Sequence, residues 1–131
     1  MADESYPEEL RYHPEHDWAR VDGAEATFGI TWYAQDALGE VVFFEAPQVG
    51  SEVSKDSPYT EVESVKAVSD VFAPLSGEIL EVNDVLEDSP EKINEDPYGD
   101  GWLVKIRLSD AAETDALMDS AAYQELLKSG S

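Results

Sequence analysis

A single lysine, Lys66, stands within Glu61-Val62-Glu63-Ser64-Val65-Lys66-Ala67-Val68-Ser69-Asp70 and is the only Lys or Arg between Lys55 and Lys92. Its amine, at the end of a flexible four-carbon stem, forms stable amides, which is how a protein acquires a long covalent arm. Such an arm needs an exposed amine on a rigid tight turn where a modifying enzyme can reach it, and Lys66 lies between two β-like runs in an acidic stretch. The same lysine equally fits a solvated side chain that guards an edge strand against aggregation. Val65-Lys66 also lacks the Asn-Gly or Gly-X chemistry of a standard two-residue turn. Spacing leaves both possibilities open. His13 and His16, three apart and beside Glu15 and Asp17, raise a metal site or a titrating histidine. A second ligand cluster is missing, and no Ser or Cys nucleophile is implicated, so neither a metal centre nor catalysis is expected.

Composition narrows the classes of partner. The 131 residues carry 8 Lys+Arg against 30 Asp+Glu, a formal charge of -22. Phosphate binding needs cations, so nucleic acid is excluded as an expected partner, and anionic membrane surfaces are disfavoured likewise. A strong negative field keeps a small protein soluble and steers it toward basic patches. With no cysteine, any sulfur redox chemistry must come from a cofactor. The acidic start, Met1-Ala2-Asp3-Glu4-Ser5, resembles neither a secretory signal nor a transit peptide. No apolar run approaches the roughly 20 residues that span a bilayer. A cytoplasmic monomer with one domain over residues 1–131 is expected.

The elements that must position Lys66 are mostly strands. Trp18 to Val21 and Ala24 to Ile30 read as a hairpin around Asp22-Gly23. Trp32 to Leu38 reads as one or two helical turns stopped by Gly39. Val41 to Glu45 reads as a buried strand, and Pro58 to Ser64 and Ala67 to Ala73 as β segments flanking Lys66. A strand follows the Ser76-Gly77 turn. From Trp102 to Leu108, Leu103, Lys105 and Arg107 alternate with Trp102, Val104, Ile106 and Leu108. Leu117, Met118, Ala121, Ala122, Leu126 and Leu127 follow helical spacing, with Ser120 as a cap. The fold class is therefore mainly β with short helices and a C-terminal helix packed on the sheet.

An ordered series of motifs decides between the two readings of Lys66. Tyr12 precedes His16-Asp17-Trp18. Gly29-Ile30-Thr31 follows, then Tyr33-Ala34-Gln35-Asp36-Ala37-Leu38-Gly39-Glu40-Val41-Val42 and Pro47-Gln48-Val49-Gly50. Val62-Glu63-Ser64-Val65-Lys66-Ala67 comes next, then Ser69-Asp70, Ser76-Gly77-Glu78, Glu81-Val82-Asn83 and Ile93-Asn94. Pro97-Tyr98-Gly99 with Gly101-Trp102-Leu103 closes the series. Over nearly its whole length the chain resembles the H proteins of the glycine cleavage system. The resemblance implies a barrel-sandwich hybrid of two small sheets, with lipoate in amide linkage to Lys66 at a hairpin tip. Glu63, Ser64, Val65 and Ala67 would form the motif read by a lipoate ligase or lipoyltransferase. A pyridoxal-phosphate (PLP) glycine decarboxylase would load an aminomethyl group onto the arm. An aminomethyltransferase would pass the methylene to tetrahydrofolate. A flavin-dependent dihydrolipoamide dehydrogenase would reoxidise the arm. The chain itself would be a carrier and not an enzyme.

The resemblance also implies that Glu15, Asp17 and Asp70 accept the amine of the loaded arm. Three positions depart from the family pattern. Asp17 stands where Glu is usual, Trp32 where Asp is usual, and Glu15 where Ser is frequent. Trp32 is expected to pack on the core or to form a contact surface. Biotin carriers place Met on both sides of their lysine, whereas Val65 and Ala67 flank Lys66. Lipoyl domains of 2-oxo-acid dehydrogenases usually place Asp before it. A lipoyl-relay role, or an unmodified binding or regulatory module on the same fold, remains the alternative.

Overall fold

A computed structural model describes residues 4–129. The first three residues of the acidic start lie outside that range. Among the described residues nine strands form two antiparallel sheets. The larger sheet contains β1 (Arg11–His13), β2 (Asp17–Asp22), β3 (Glu25–Ile30), β9 (Val104–Leu108), β8 (Gly77–Val82) and β5 (Glu52–Val53), in that spatial order. The smaller contains β4 (Val41–Phe44), β6 (Pro58–Ser64) and β7 (Val68–Phe72). Four helices complete the fold: α1 (Trp32–Leu38), α2 (Val85–Asp88), α3 (Lys92–Glu95) and α4 (Ser120–Lys128), with a 3₁₀ segment at Ala111–Ala116. The expected mainly β architecture with a C-terminal helix is present, and β1, β5, α2, α3 and the 3₁₀ segment are additions too short to leave a periodic signal.

The core follows from the pleat. Inward residues of both sheets, among them Phe28, Val62, Ile79, Val104 and Ile106, are fully or almost fully buried in one cluster. Burying each such large apolar side chain contributes roughly 1.5–3 kcal/mol. A second cluster of Leu10, Tyr12, Trp18 and Tyr123 lies under α4. Trp18 faces Gly29 across the β2–β3 ladder. A Cβ on Gly29 would sit 2.5 Å from the Trp18 ring, so only glycine admits this pairing.

Several expectations are corrected by detail. The β2–β3 loop is Gly23-Ala24, one residue beyond Asp22-Gly23, because Asp22 still pairs with Glu25 and Gly23 takes the positive φ of 64°. β4 is not buried throughout: Val42 and Phe43 are 46% and 50% exposed, because a register shift between Val41 and Phe43 turns consecutive residues outward. Leu103 is buried and does not share the outward face of Lys105 and Arg107, since β9 begins only at Val104. Leu117 and Met118 precede α4; Met118 pairs with Tyr12 as an extended bridge. The N-cap of α4 is Asp119, whose carboxylate accepts the Ala122 N–H at 2.8 Å, while the Ser120 hydroxyl donates to the Tyr6 carbonyl.

α1 begins at Thr31, whose hydroxyl accepts the Ala34 N–H at 3.2 Å, and ends at Gly39 with φ 81°. Its C-terminal end is held by buried Asn94. The Asn94 amide donates to Gly39 O at 2.8 Å and Gln35 Oε1 at 3.0 Å, and its oxygen accepts the Val41 N–H at 2.8 Å. Asn94→Ala leaves two buried polar groups and the part-buried Gly39 carbonyl without this partner and is expected to lower stability by roughly 1–3 kcal/mol. A chemical melt compared with wild type checks this; an unchanged midpoint would show that the network is dispensable.

Candidate functional site

Lys66 occupies the three-residue connection between β6 and β7, and Glu63 pairs with Val68 just beneath it. Ser64 explains how this turn forms without Asn-Gly. Its backbone N–H donates to Ala67 O at 2.8 Å, and its side-chain oxygen accepts the N–H groups of Lys66 and Ala67 at 3.3 and 3.1 Å. This is a serine-built turn. The Val65 N–H donates to Glu40 O at 3.0 Å, tying the tip to the α1–β4 connection. All three N–H groups of the tip are thereby held.

The Lys66 side chain is exposed and crosses Gly39, where its Cε lies 3.4 Å from the position a Cβ would take. Lys55, Lys92, Lys105 and Lys128 each lie within 4.0 Å of a carboxylate. Among the described residues Lys66 is the lysine that does not, so its amine needs no ion pair broken before it reacts.

Beside the tip opens a cleft of about 320 Å³ between β7, α1 and the β1–β2 corner. Ile30, Ala34, Ala37, Leu38 and Val71 supply apolar wall, and Glu15, Asp17 and Asp70 all border it. The three positions expected to accept the amine, two of them more than fifty residues from the third, thus meet at one opening. Glu15 and Asp70 are exposed, whereas Asp17 is buried. Burial, and next the charge of Glu15, push the Asp17 pKa well above the ordinary carboxylate range, against a hydrogen bond from the Phe72 N–H that lowers it. Among the described residues Asp17 Oδ2 has no hydrogen-bond partner.

His13 does not neutralise this carboxylate. Its Nδ1 lies 4.0 Å from Asp17 Oδ2 but already accepts the Glu15 N–H at 3.1 Å. Its Nε2 faces Asp56 Oδ1 at 2.6 Å, which assigns the ring proton to Nε2. Asp17 is left as a buried acceptor open to a cation.

His16 also borders the cleft, at φ 73°, a backbone region uncommon outside glycine. Its Nδ1 is 2.8 Å from the Tyr123 hydroxyl, which is 2.8 Å from Thr31 Oγ1. Burial lowers its pKa. This anchor makes α4 a support of the cleft wall. Tyr33 lines the cleft with its ring 4.6 Å from that of His16, Asn94 holds the end of α1 and Tyr123 anchors His16, although sequence reasoning assigned none of the three a role. The one signal available was the presence of Tyr33 and Asn94 in the motif series. Trp32 is half-buried, and its backbone N–H donates to the Tyr98 hydroxyl at 2.9 Å.

A family model described as "Glycine cleavage H-protein" matches residues 10–130. The glycine cleavage system H protein of Symbiobacterium thermophilum is 53% identical over 124 residues, covering 95% of this chain and 97% of that protein. The Bacillus subtilis H protein is 48% identical over 122 residues, covering 93% and 96%. The crystal structure of an H protein from Mycobacterium marinum superposes with a TM-score of 0.85 at 38% identity, covering 93% of this chain and 98% of that one. A matched family model, relatives aligned over nearly their whole length and a shared fold carry one conclusion: this chain belongs to the H-protein family, the lipoyl carriers of the glycine cleavage system.

Proposed function

We propose that Lys66 bears lipoate in amide linkage and that the chain is a non-catalytic, single-domain carrier, working in the cytoplasm as a monomer. The observation that carries this is the unpaired Lys66 amine on a rigid tip beside a cleft whose buried Asp17 has an unpartnered oxygen. The cleft fits the group: its apolar wall suits a hydrocarbon stem, and its carboxylates suit an ammonium. When bound, lipoate supplies a redox-active dithiolane that can take up the one-carbon amine left when glycine is decarboxylated.

The chain's own residues then do three things. Ser64 and Glu40 hold the tip in one orientation. Asp17, aided by Asp70 and Glu15, holds the ammonium of the cargo. The cleft wall excludes water from it. The partners are the PLP-dependent decarboxylase, the tetrahydrofolate-dependent aminomethyltransferase and dihydrolipoamide dehydrogenase, with a lipoate ligase or lipoyltransferase for attachment. Tethering raises the concentration of cargo at each partner site. Intact mass after expression in a host that attaches lipoate tests the reading. One added lipoyl group supports it, and an added biotin or an unmodified chain overturns it.

A further inference from the structure

Large apolar side chains are exposed in a pattern. Val42, Phe43, Val65 and Val68 are 46%, 50%, 67% and 59% exposed, and all four lie in the three-stranded sheet or its hairpin tip. Phe43 pairs with Glu63, which pairs with Val68, so the three form one row across β4, β6 and β7. The shift in register between Val41 and Phe43 adds Val42 to this surface. The hydrogen bond from Val65 to Glu40 brings the tip against the start of β4. The result is an apolar surface at the foot of Lys66, with Phe43 and Val42 on one side of Glu63 and Val68 on the other.

The strip is bounded by carboxylates. Glu45 N–H donates to Glu61 O at 3.0 Å, and Glu61 pairs with Asp70, so a row of three acids follows the row containing Glu63. Desolvation and then the charges of Glu45 and Asp70 raise the Glu61 pKa. Like charges set opposite one another on a sheet are unfavourable, and a cationic partner relieves that cost. An apolar strip with an acidic border is complementary to an apolar depression bordered by Lys and Arg.

We propose that this face, centred on Phe43, docks the enzyme that acylates Lys66, and that this enzyme's channel mouth is apolar and rimmed by basic side chains. The proposal rests on the reading of Lys66 as the modified residue. Its distance from the amine selects the occupant. Partners that act at the far end of a long arm can dock elsewhere on the molecule. An acyl-transferring enzyme must bring its own reacting atoms to Nζ and so must cover the ground beside the tip. There the Nζ lone pair attacks the carbonyl carbon of the mixed anhydride of lipoate with AMP, the C–O bond to the phosphate breaks as AMP leaves with the bonding pair, and Nζ gives up a proton to solvent.

The test is steady-state acylation of the unmodified full chain by purified lipoate ligase with ATP and lipoate. Phe43→Ser is expected to raise the KM for the chain roughly tenfold, as removal of a central apolar anchor does, with kcat unchanged; Val42→Ser shifts KM in the same direction. Glu45→Gln with Glu61→Gln raises KM and flattens its dependence on salt. Val49→Ser, an exposed apolar position next to Gly50, whose N–H bonds Ile79 O in β8 of the larger sheet, stays at the wild-type KM. Thermal melts confirm that each variant is folded. Wild-type KM in both Phe43→Ser and Val42→Ser, with Lys66 acylated normally, overturns the docking surface and leaves the Lys66 reading standing. A wild-type chain that accepts no lipoyl group overturns both.

Discussion

Lys66→Arg is expected to abolish both lipoyl attachment and all support of glycine decarboxylation. Arginine keeps the positive charge but offers no primary amine for amide formation. The tip would survive, because its hydrogen bonds come from Ser64, Glu40 and the backbone. The loss is therefore chemical and not a folding defect. Peptide mapping of wild type should place one lipoyl group on Lys66 and none on Lys55 or Lys105. The isolated wild-type chain should release no carbon dioxide from glycine. Exchange of carbon dioxide into glycine should appear when the decarboxylase is added, and should be absent with Lys66→Arg. Lipoate mapped to another lysine, or sustained turnover by the unmodified chain alone, would sink the carrier assignment.

Asp17→Asn should show opposite effects on cargo and on folding. Loaded with the one-carbon amine, wild type should hydrolyse slowly at neutral pH. A sheltered charge-assisted hydrogen bond is worth roughly 1.5–3 kcal/mol, so the variant should hydrolyse about tenfold faster or more. Asp70→Asn should have a smaller effect, because Asp70 is exposed and its interactions are screened. If both variants match wild type, the cleft does not shelter the arm.

Folding should respond the other way. The native pKa of Asp17 is raised, chiefly by burial. Its contribution to stability is thus full below about pH 4, where an unfolded aspartate is also protonated. That contribution is lost as pH rises through the raised native value, because the buried carboxyl must then ionise. Asn cannot ionise, so the unloaded variant should be more stable at neutral pH by on the order of 1 kcal/mol. The gap from wild type should close as pH falls toward 4. Denaturant melts across that range check it; a variant less stable at pH 7 would show that the carboxylate is already compensated.

Short-range order was legible from the residues themselves. Turn signals and short apolar runs located β2, β3, β6 and β8, period-2 alternation located β9, and Gly39 marked the end of α1. A bulge leaves no such mark, so β4 read as buried when Val42 and Phe43 face outward. The helix cap was misplaced by one residue for a similar reason. Asp119 and Ser120 are both good caps, and the choice depends on the Tyr6 carbonyl that takes the Ser120 hydroxyl. For Lys66, spacing alone could not separate an attachment point from an ordinary surface lysine; the ordered motifs around it could.

What the sequence by itself determined was therefore family, strand pattern, the candidate lysine and a strongly negative net charge. These depend on residue type and local spacing. What only the tertiary structure decided was the surrounding of that lysine. Glu15 and Asp17 reach Asp70 because the two sheets pack face to face. Asp17 is buried with an unpartnered oxygen because β2 runs under the cleft. Asn94 and Tyr123 brace the walls from distant segments. Burial and pairing depend on which segments pack together, and no local pattern in the chain encodes that distance.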